Sequence, residues 1–367
     1  MGFDRIELTL LKLPYVHYFE TSFGREYERT FILVRVCSDG LVGWGEVVAA
    51  QIPLYSYETT TTAWHILSDF LIPMTLEDSI EDPREFHRRA SKYKGHPMAK
   101  AGLELALWDL AAKKQGLPLW KVYGGTQTAI PAGVSIGIQD TPEELLDRIG
   151  LFLEEGYRRV KIKIKPGWDR DVCAAVRDRF PAMLLQVDAN GGYRPADEDR
   201  LCSLDDFNLQ MLEQPFPPYD LWDHSRLQKK MRTPVCLDES ILSQTTTRQA
   251  IEMGSCRIVN IKVGRVGGIV EGLAIHDFCR EQNVPVWCGG MLESGIGRAH
   301  NIHLASLPNF LLPHDISASR RYYNQDLIEP EVKITGDGFI PLPEAPGIGV
   351  VPQEDRIQKA AVTQKTF

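Results

Sequence analysis

Val160-Lys161-Ile162-Lys163, Leu184-Leu185-Gln186-Val187-Asp188, Leu209-Gln210-Met211-Leu212-Glu213, Val235-Cys236-Leu237-Asp238 and Ile258-Val259-Asn260-Ile261-Lys262 are five short apolar runs, each ending in a charge. The terminal charges at positions 163, 188, 213, 238 and 262 are 25, 25, 25 and 24 residues apart. Four or five apolar or β-branched residues make a buried parallel strand, and about 25 residues is one strand plus one crossover helix. The repeat therefore predicts a β/α barrel. In that architecture the C-terminal strand ends ring one mouth, where active sites are built. One such charge is simply the first solvated residue after a strand. Five in register predict that Lys161, Lys163, the three carboxylates and Lys262 converge.

Outward from this core, Ile130–Ile138 is the expected first barrel strand, Pro285–Met291 the seventh and Asn309–Asp315 the eighth. On the second strand Lys161, Lys163 and Lys165 share one face, opposite Val160, Ile162 and Ile164. Helices are expected near 169–180, 196–204, 219–231, 244–254 and 268–282. Thr141-Pro142-Glu143-Glu144 is a helix start: a threonine cap, proline in the first turn and two acids facing the dipole.

Before the barrel, Asp4–Leu13 and Arg29–Val36 alternate polar and apolar residues, and Val42–Val47 follows the turn Ser38-Asp39-Gly40, which suggests an antiparallel meander. Residues 17–27 are rich in aromatic and polar residues and are expected to form a loop over a pocket. From 59 to 115 the pattern is helical, with small residues on one face of Met98–Ala112 implying close packing. After about residue 322, Val332–Pro341 suggests a hairpin turning at Gly336-Asp337-Gly338. The expected division is a capping α+β unit over 1–127, a barrel over 128–322, and a segment over 323–367 that leaves the barrel and rejoins the cap.

The 367 residues suit a barrel plus about a hundred more. A net charge of -8 gives no footprint for nucleic acid or an anionic membrane, so small-molecule partners are expected. Seven scattered cysteines without CxxC spacing argue against a zinc site or disulfide framework and for reduced thiols. Residues 1–20 lack the basic start and unbroken apolar run of a signal peptide, and no stretch reaches membrane-spanning length, so a cytoplasmic protein is expected.

Asp188, Glu213 and Asp238 at successive strand ends would repel one another unless a cation lay among them, and hard oxygen donors select Mg²⁺ or Mn²⁺. Lys163 and Lys262 approach from opposite sides. A cation and Lys161 nearby would disfavour the charged form of a lysine base. A substrate carboxylate on the metal would make its α-proton removable, so the predicted chemistry is proton abstraction α to a carboxylate.

These residues, as Lys161-Ile-Lys163, Asp188-Ala-Asn190, Glu213-Gln-Pro215, Asp238-Glu-Ser240 and Lys262, resemble the muconate-lactonizing subgroup of the enolase superfamily. Further segments, among them Phe19–Gly24, Gly43–Glu46, Lys94–Lys100, Gly133–Gly137, Gly289–Gly295 and Asp315–Ser319, resemble the o-succinylbenzoate synthases that include N-succinylamino acid racemases. The resemblance implies a modified TIM barrel, (β/α)₇β, with an α+β capping domain. It also implies Mg²⁺ on Asp188, Glu213 and Asp238, with Lys163 as base, Lys262 as the opposing lysine and Lys161 holding the substrate carboxylate. The implied reaction is dehydration of 2-succinyl-6-hydroxy-2,4-cyclohexadiene-1-carboxylate to o-succinylbenzoate for menaquinone, with N-succinylamino acid racemisation as the alternative. Ser135, Asn190, Gly289, Gly290 and Met291 are further candidate substrate contacts, and Phe19, Ser22 and Tyr55 are candidates on the cap side. No histidine stands on the seventh strand, and Asp315-Ile316-Ser317 replaces the Asp-x-Asp of dipeptide epimerases; both weaken those sibling activities. A noncatalytic binding barrel would require a decayed ligand or lysine, and none is decayed. Symmetric homo-oligomers are common in the family; the sequence itself is silent on assembly.

Overall fold

A computed structural model describes residues 2–77, 80 and 82–367. The alternating N-terminal segments form the predicted meander of Arg5–Thr21, Gly24–Ser38 and Leu41–Val47. Ala361–Thr366 adds antiparallel to the free side of Arg5–Thr21, completing a four-stranded sheet. The helix Pro97–Gln115 lies against Leu41–Val47 at very short range. A Cβ at Gly45 would collide with the Gly102 carbonyl, so glycine is what lets the two backbones meet. The helical expectation over 59–115 resolves into Thr60–Ile66, a π-helical turn over Leu67–Leu71, Ile72–Glu77, Pro83–Ala90 and Pro97–Gln115, and falls in part on 78, 79 and 81, outside the described residues.

Residues 17–27 are not a loop. They are the far end of the first hairpin, with Phe19 opposite Glu26 and Thr21 opposite Gly24 after a register shift beyond Pro14. Pairing satisfies backbone groups that a loop would leave to water, and the hairpin tip still overhangs the barrel mouth.

Seven parallel strands follow in sequential order: Val134–Ile136, Arg159–Lys163, Leu184–Asp188, Met211–Glu213, Val235–Leu237, Ile258–Ile261 and Val286–Cys288. The helices between them include Pro142–Glu154, capped by the Thr141 hydroxyl, and Arg170–Arg179, Leu221–Lys230, Gln244–Glu252 and Ile269–Glu281. The buried valines, leucines and isoleucines of the strands join one core with the inward faces of these helices.

Three expectations about the strands need correction. The eighth is a single bridge, Val286 to Phe310, although Asp315 N–H to Cys288 and His314 N–H to Pro131 still tie it to the seventh strand and to the chain before the first. The run 130–138 is split, because Ala129–Pro131 pairs antiparallel with Phe339–Pro341 and only Val134–Ile136 enters the barrel. The Gly336–Gly338 turn forms, with Thr335 N–H on the Phe339 carbonyl, but Phe339–Pro341 finds its strand partner at the barrel entrance rather than in a local hairpin.

The tail then crosses to the cap. Gly347 bridges to Pro118, and Ile348 N–H donates to Asp109 Oδ1 at 2.7 Å while Trp44 N–H takes Oδ2 at 2.8 Å. Glu46 reaches from the cap sheet to the start of helix Gly295–Leu304, accepting from Ser294 Oγ at 2.6 Å and Gly297 N–H at 3.1 Å. His300 and His303 of that helix sit on the carbonyls of Trp44 and Ile348. The seam thus fixes the cap over the barrel. Among the described residues no helix is long and apolar enough to cross a membrane, and all seven cysteines are free.

Candidate active site

The second to sixth barrel strands each deliver a charged residue, at or just past their ends, to one mouth. Asp188, Glu213 and Asp238 are fully buried, and one oxygen from each lies within 4.8 Å of the others. Just past two of these strands the backbone enters the left-handed region at Asn190 and Gln214, with φ of 44° and 38°, a strain that clusters at functional sites. The turn aims Asn190 back at Lys163, and the Gln214 side chain accepts from Asp238 N–H at 3.0 Å.

Cations flank the triad on two sides. Lys161 Nζ is 3.0 Å from Asp188, 2.7 Å from Glu213 and 2.6 Å from Asp315, and Lys163 Nζ is 2.6 Å from Asp188 and 2.7 Å from Asn190 Oδ1. Across the mouth, Lys262 Nζ is 2.7 Å from Asp238, which Arg265 also grips. Tyr55, descending from the cap, donates to Asp238 at 3.0 Å and accepts from Lys262 and Arg265. Its loop is anchored by Glu58, which caps the N–H groups of Met98 and Ala99.

The electrostatics follow from this crowding. Burial opposes ionisation of Asp188, yet Lys163 and Lys161 hold it well below the usual carboxylate range. Burial, reinforced by the charge of Asp188, pushes Glu213 up. Among the protein's own groups, opposing effects act on Lys262 and Lys161. Burial lowers both, but Tyr55, Glu213, Glu239 and Asp188 outweigh it at Lys262, as Asp315, Glu213 and Asp188 do at Lys161, so both are raised. The carboxylates around each lysine outnumber the neighbouring cations.

The triad fits a divalent cation by its chemistry: three hard oxygen donors converge, and Asn260, whose amide donates to Glu213 at 2.7 Å, leaves a buried Oδ1 without a partner. Above lies a cavity of about 370 Å³. Lys161, Lys163, Lys262, Ser135, Asn190, Gly290 and Met291 line it from the barrel, and Phe19 and Tyr55 from the cap. Ser22 and Gly289 do not. The Ser22 hydroxyl turns to the Asn190 carbonyl at 3.5 Å. A Cβ at Gly289 would collide with Asn260 Oδ1 and come within 2.7 Å of Lys262 Cε, so glycine there leaves room for both side chains. Lys165 leaves the inward face for Glu20 at 3.6 Å.

Four participants were not singled out from the sequence. Asn260 alternates with Lys262 on the sixth strand, so two-residue periodicity pointed to it. Glu239, which accepts from Asn190, directly follows a triad residue. Asp315, held by Lys161, Arg159 and Ser135, and Arg265, beyond the sixth strand, act through contacts with distant segments.

Comparison with known proteins matches this architecture. The mandelate racemase / muconate lactonizing enzyme N-terminal domain family matches residues 5–124, and the enolase C-terminal domain-like family matches 144–356. An o-succinylbenzoate synthase of Geobacillus stearothermophilus is 51% identical over 97% of this chain and 94% of its own. An N-succinylamino acid racemase of Thermus thermophilus is 45% identical over 95% of each. The crystal structure of an enolase superfamily member from Listeria innocua superposes with a TM-score of 0.96 at 39% identity, covering 100% of this chain and 99% of that one. With the acidic triad on three successive strands, lysines on either flank and both domain families matched, the chain belongs to the enolase superfamily, in the group of o-succinylbenzoate synthases and N-succinylamino acid racemases.

Proposed function

We propose that the protein is an o-succinylbenzoate synthase, dehydrating 2-succinyl-6-hydroxy-2,4-cyclohexadiene-1-carboxylate, with N-succinylamino acid racemisation as a second activity of the same site. The observation that carries the reading is the placement of two lysines on opposite flanks of one carboxylate triad. Asp188, Glu213 and Asp238 would hold Mg²⁺, or Mn²⁺, which when bound supplies charge stabilisation to the substrate carboxylate. Lys161, whose third partner Asp315 stands outside the triad, orients that carboxylate. Lys163 Nζ takes the α-proton. The C–O bond to the hydroxyl then breaks, its electron pair leaving with the oxygen, and Lys163 returns the proton to form water as the ring becomes aromatic. Lys262, kept protonated by its carboxylate and phenol neighbours, faces the enediolate charge throughout. Ser135, Asn190, Gly290, Met291, Phe19 and Tyr55 surround the substrate.

Racemisation is favoured as the second activity by the same lysine pair, because a proton must leave one face and arrive on the other. The same reading divides the chain into a cap (1–127), a barrel (128–322) and a returning segment (323–367), supported by the pairing of Ala361–Thr366 with Arg5–Thr21. The free cysteines fit a reducing cytoplasm. Assays of both substrates with Mg²⁺ test the assignment. Efficient dehydration is expected; racemisation without dehydration would make the racemase the primary activity, and neither would reject both.

A further inference from the structure

Five cations border the cavity, and four are committed to carboxylates. Lys161, Lys163 and Lys262 face the strand-end acids, and Arg25 pairs with Glu20 and Asp140 at 2.6 Å each. Arg29 is different. It comes from the cap strand Gly24–Ser38, borders the same cavity and is only 4% exposed. One guanidinium nitrogen donates to the Val48 carbonyl, Nε has no partner, and among the described residues no carboxylate lies within 4.0 Å. The hydroxyl of Tyr15, close enough to feel the charge of Arg29, is also buried without a partner.

A guanidinium keeps its charge at any physiological pH; Tyr15, Tyr323, Glu26 and Glu46 offset the burial of Arg29 through their charge, yet none of them makes a hydrogen bond to it. Unsatisfied buried donors in a native fold call for an explanation, and a cavity wall supplies one: the missing partner is a ligand. The guanidinium fork matches a carboxylate in two parallel hydrogen bonds.

We propose that Arg29 binds a second carboxylate of the substrate, remote from the one at the barrel mouth, so that the site selects dicarboxylic acids. This rests on the function proposed above and specifies it. The lysines and the triad handle the carboxylate next to the acidic carbon, and Arg29 receives the distal carboxylate of the succinyl chain from the cap side. The three cap contacts expected from the sequence, Phe19, Ser22 and Tyr55, include no cation.

The test is calorimetric binding of o-succinylbenzoate and of 2-butyrylbenzoate, in which a methyl group replaces the distal carboxylate, to the Mg²⁺-loaded protein. Wild type should prefer the succinyl compound by about tenfold to a hundredfold, the worth of a charge-assisted pair of hydrogen bonds. Arg29→Met should lose that preference while its affinity for 2-butyrylbenzoate stays within about twofold, since a purely apolar contact is kept. Equal weakening of both ligands would make Arg29 a structural residue, and an unchanged preference would place the distal carboxylate elsewhere; either overturns the inference. If Arg29→Met does not fold, Arg29→Lys decides, because it keeps the charge and loses the fork: the preference should fall, and its persistence overturns the inference. Wild type binding both ligands equally overturns the inference alone. Wild type binding neither overturns the functional reading and the inference with it.

Discussion

Two groups of buried ionisable side chains lie on either side of the same chain segments and are satisfied in opposite ways. At the barrel mouth charge meets charge: Lys161, Lys163, Lys262 and Arg265 against Asp188, Glu213, Asp238 and Asp315. At the seam between cap and barrel, ionisable groups meet backbone, although Asp109 also takes Lys113 at 2.7 Å. Glu46 takes the N–H groups of Ser294 and Gly297, Asp109 those of Trp44 and Ile348, and His300 and His303 sit on carbonyls. Side-chain partners can be exchanged, so a metal ion or a substrate carboxylate can enter the mouth by displacing one charge with another. Backbone partners are fixed by the fold. The mouth is therefore built for chemistry and the seam for position, and each should fail in its own way.

The largest effect is expected from the mouth. Chelation should reduce dehydration and racemisation to background and Mg²⁺ should restore both; full activity after chelation, with no response to magnesium, would mean the triad has been misread. Replacement of the lysines comes next. Lys163→Ala and Lys262→Ala should each lower racemisation by about 10²–10⁴-fold, the usual worth of a general acid or base. Lys262→Arg separates the two reactions, since arginine stays charged but cannot accept a proton at neutral pH. It should retain measurable dehydration with no racemisation, as followed by α-proton exchange in deuterated water. Racemisation surviving in Lys262→Arg would break the assigned roles.

Tyr55 belongs to the cap but works in the mouth, and so tests whether the two groups are separate. Its hydroxyl joins Asp238, Lys262 and Arg265. Tyr55→Phe removes the hydrogen bond donated to Asp238 and the two accepted from Lys262 and Arg265, and turnover should fall by at least about tenfold with little change in thermal stability. A large loss of stability instead would show that the mouth helps to hold the cap.

What was legible in the sequence divides along the same line. The barrel strands and the triad could be read because a short buried strand leaves a local signature, an apolar run with a charge at its end. The eighth could be placed at 309–315 but its irregularity could not be read, because one bridge and a few backbone bonds hold it in place of a full ladder. Arg265 and Asp315 become site residues only through partners 27 and 154 residues away, Asp238 and Lys161. Arg29 was hidden inside a strand whose alternation gives a polar side chain an outward reading, while the fold turns that face toward the cavity. Seam residues such as Glu46 and His300 were unreadable for a further reason, that backbone partners carry no residue identity.

The smallest effect is in stability against pH, and it comes from the seam. His300 and His303 are buried on carbonyls, and burial pushes them down to about 4 and about 3, below the unfolded value near 6.5. Their contribution is fully present above pH 6.5 and is lost as pH falls toward 4, because the unfolded chain binds protons that the folded one refuses. Glu46 has the opposite sign. Burial raises it to about 8 despite its hydrogen bonds from Ser294 and Gly297, so its contribution is present below about 4.5 and is lost as pH rises through 8. Between pH 4.5 and 6.5 Glu46, with Asp109 that burial also raises, works against the two histidines, which together add about 2.7 kcal/mol per pH unit. His224 and His314, lowered by burial to about 4 and about 3, add to the same side. Between pH 6.5 and 8 Glu46 should lower stability by about 1.4 kcal/mol per unit, joined up to about pH 7 by Glu58 and Glu213, which burial raises to about 7. Urea unfolding across pH 4.5–8.5 should therefore give a maximum near 6.5, and Glu46→Gln should flatten the alkaline limb and steepen the acid one. An alkaline limb unchanged in Glu46→Gln would mean that Glu46 is ionised in the fold, and the seam would then carry charge as the mouth does.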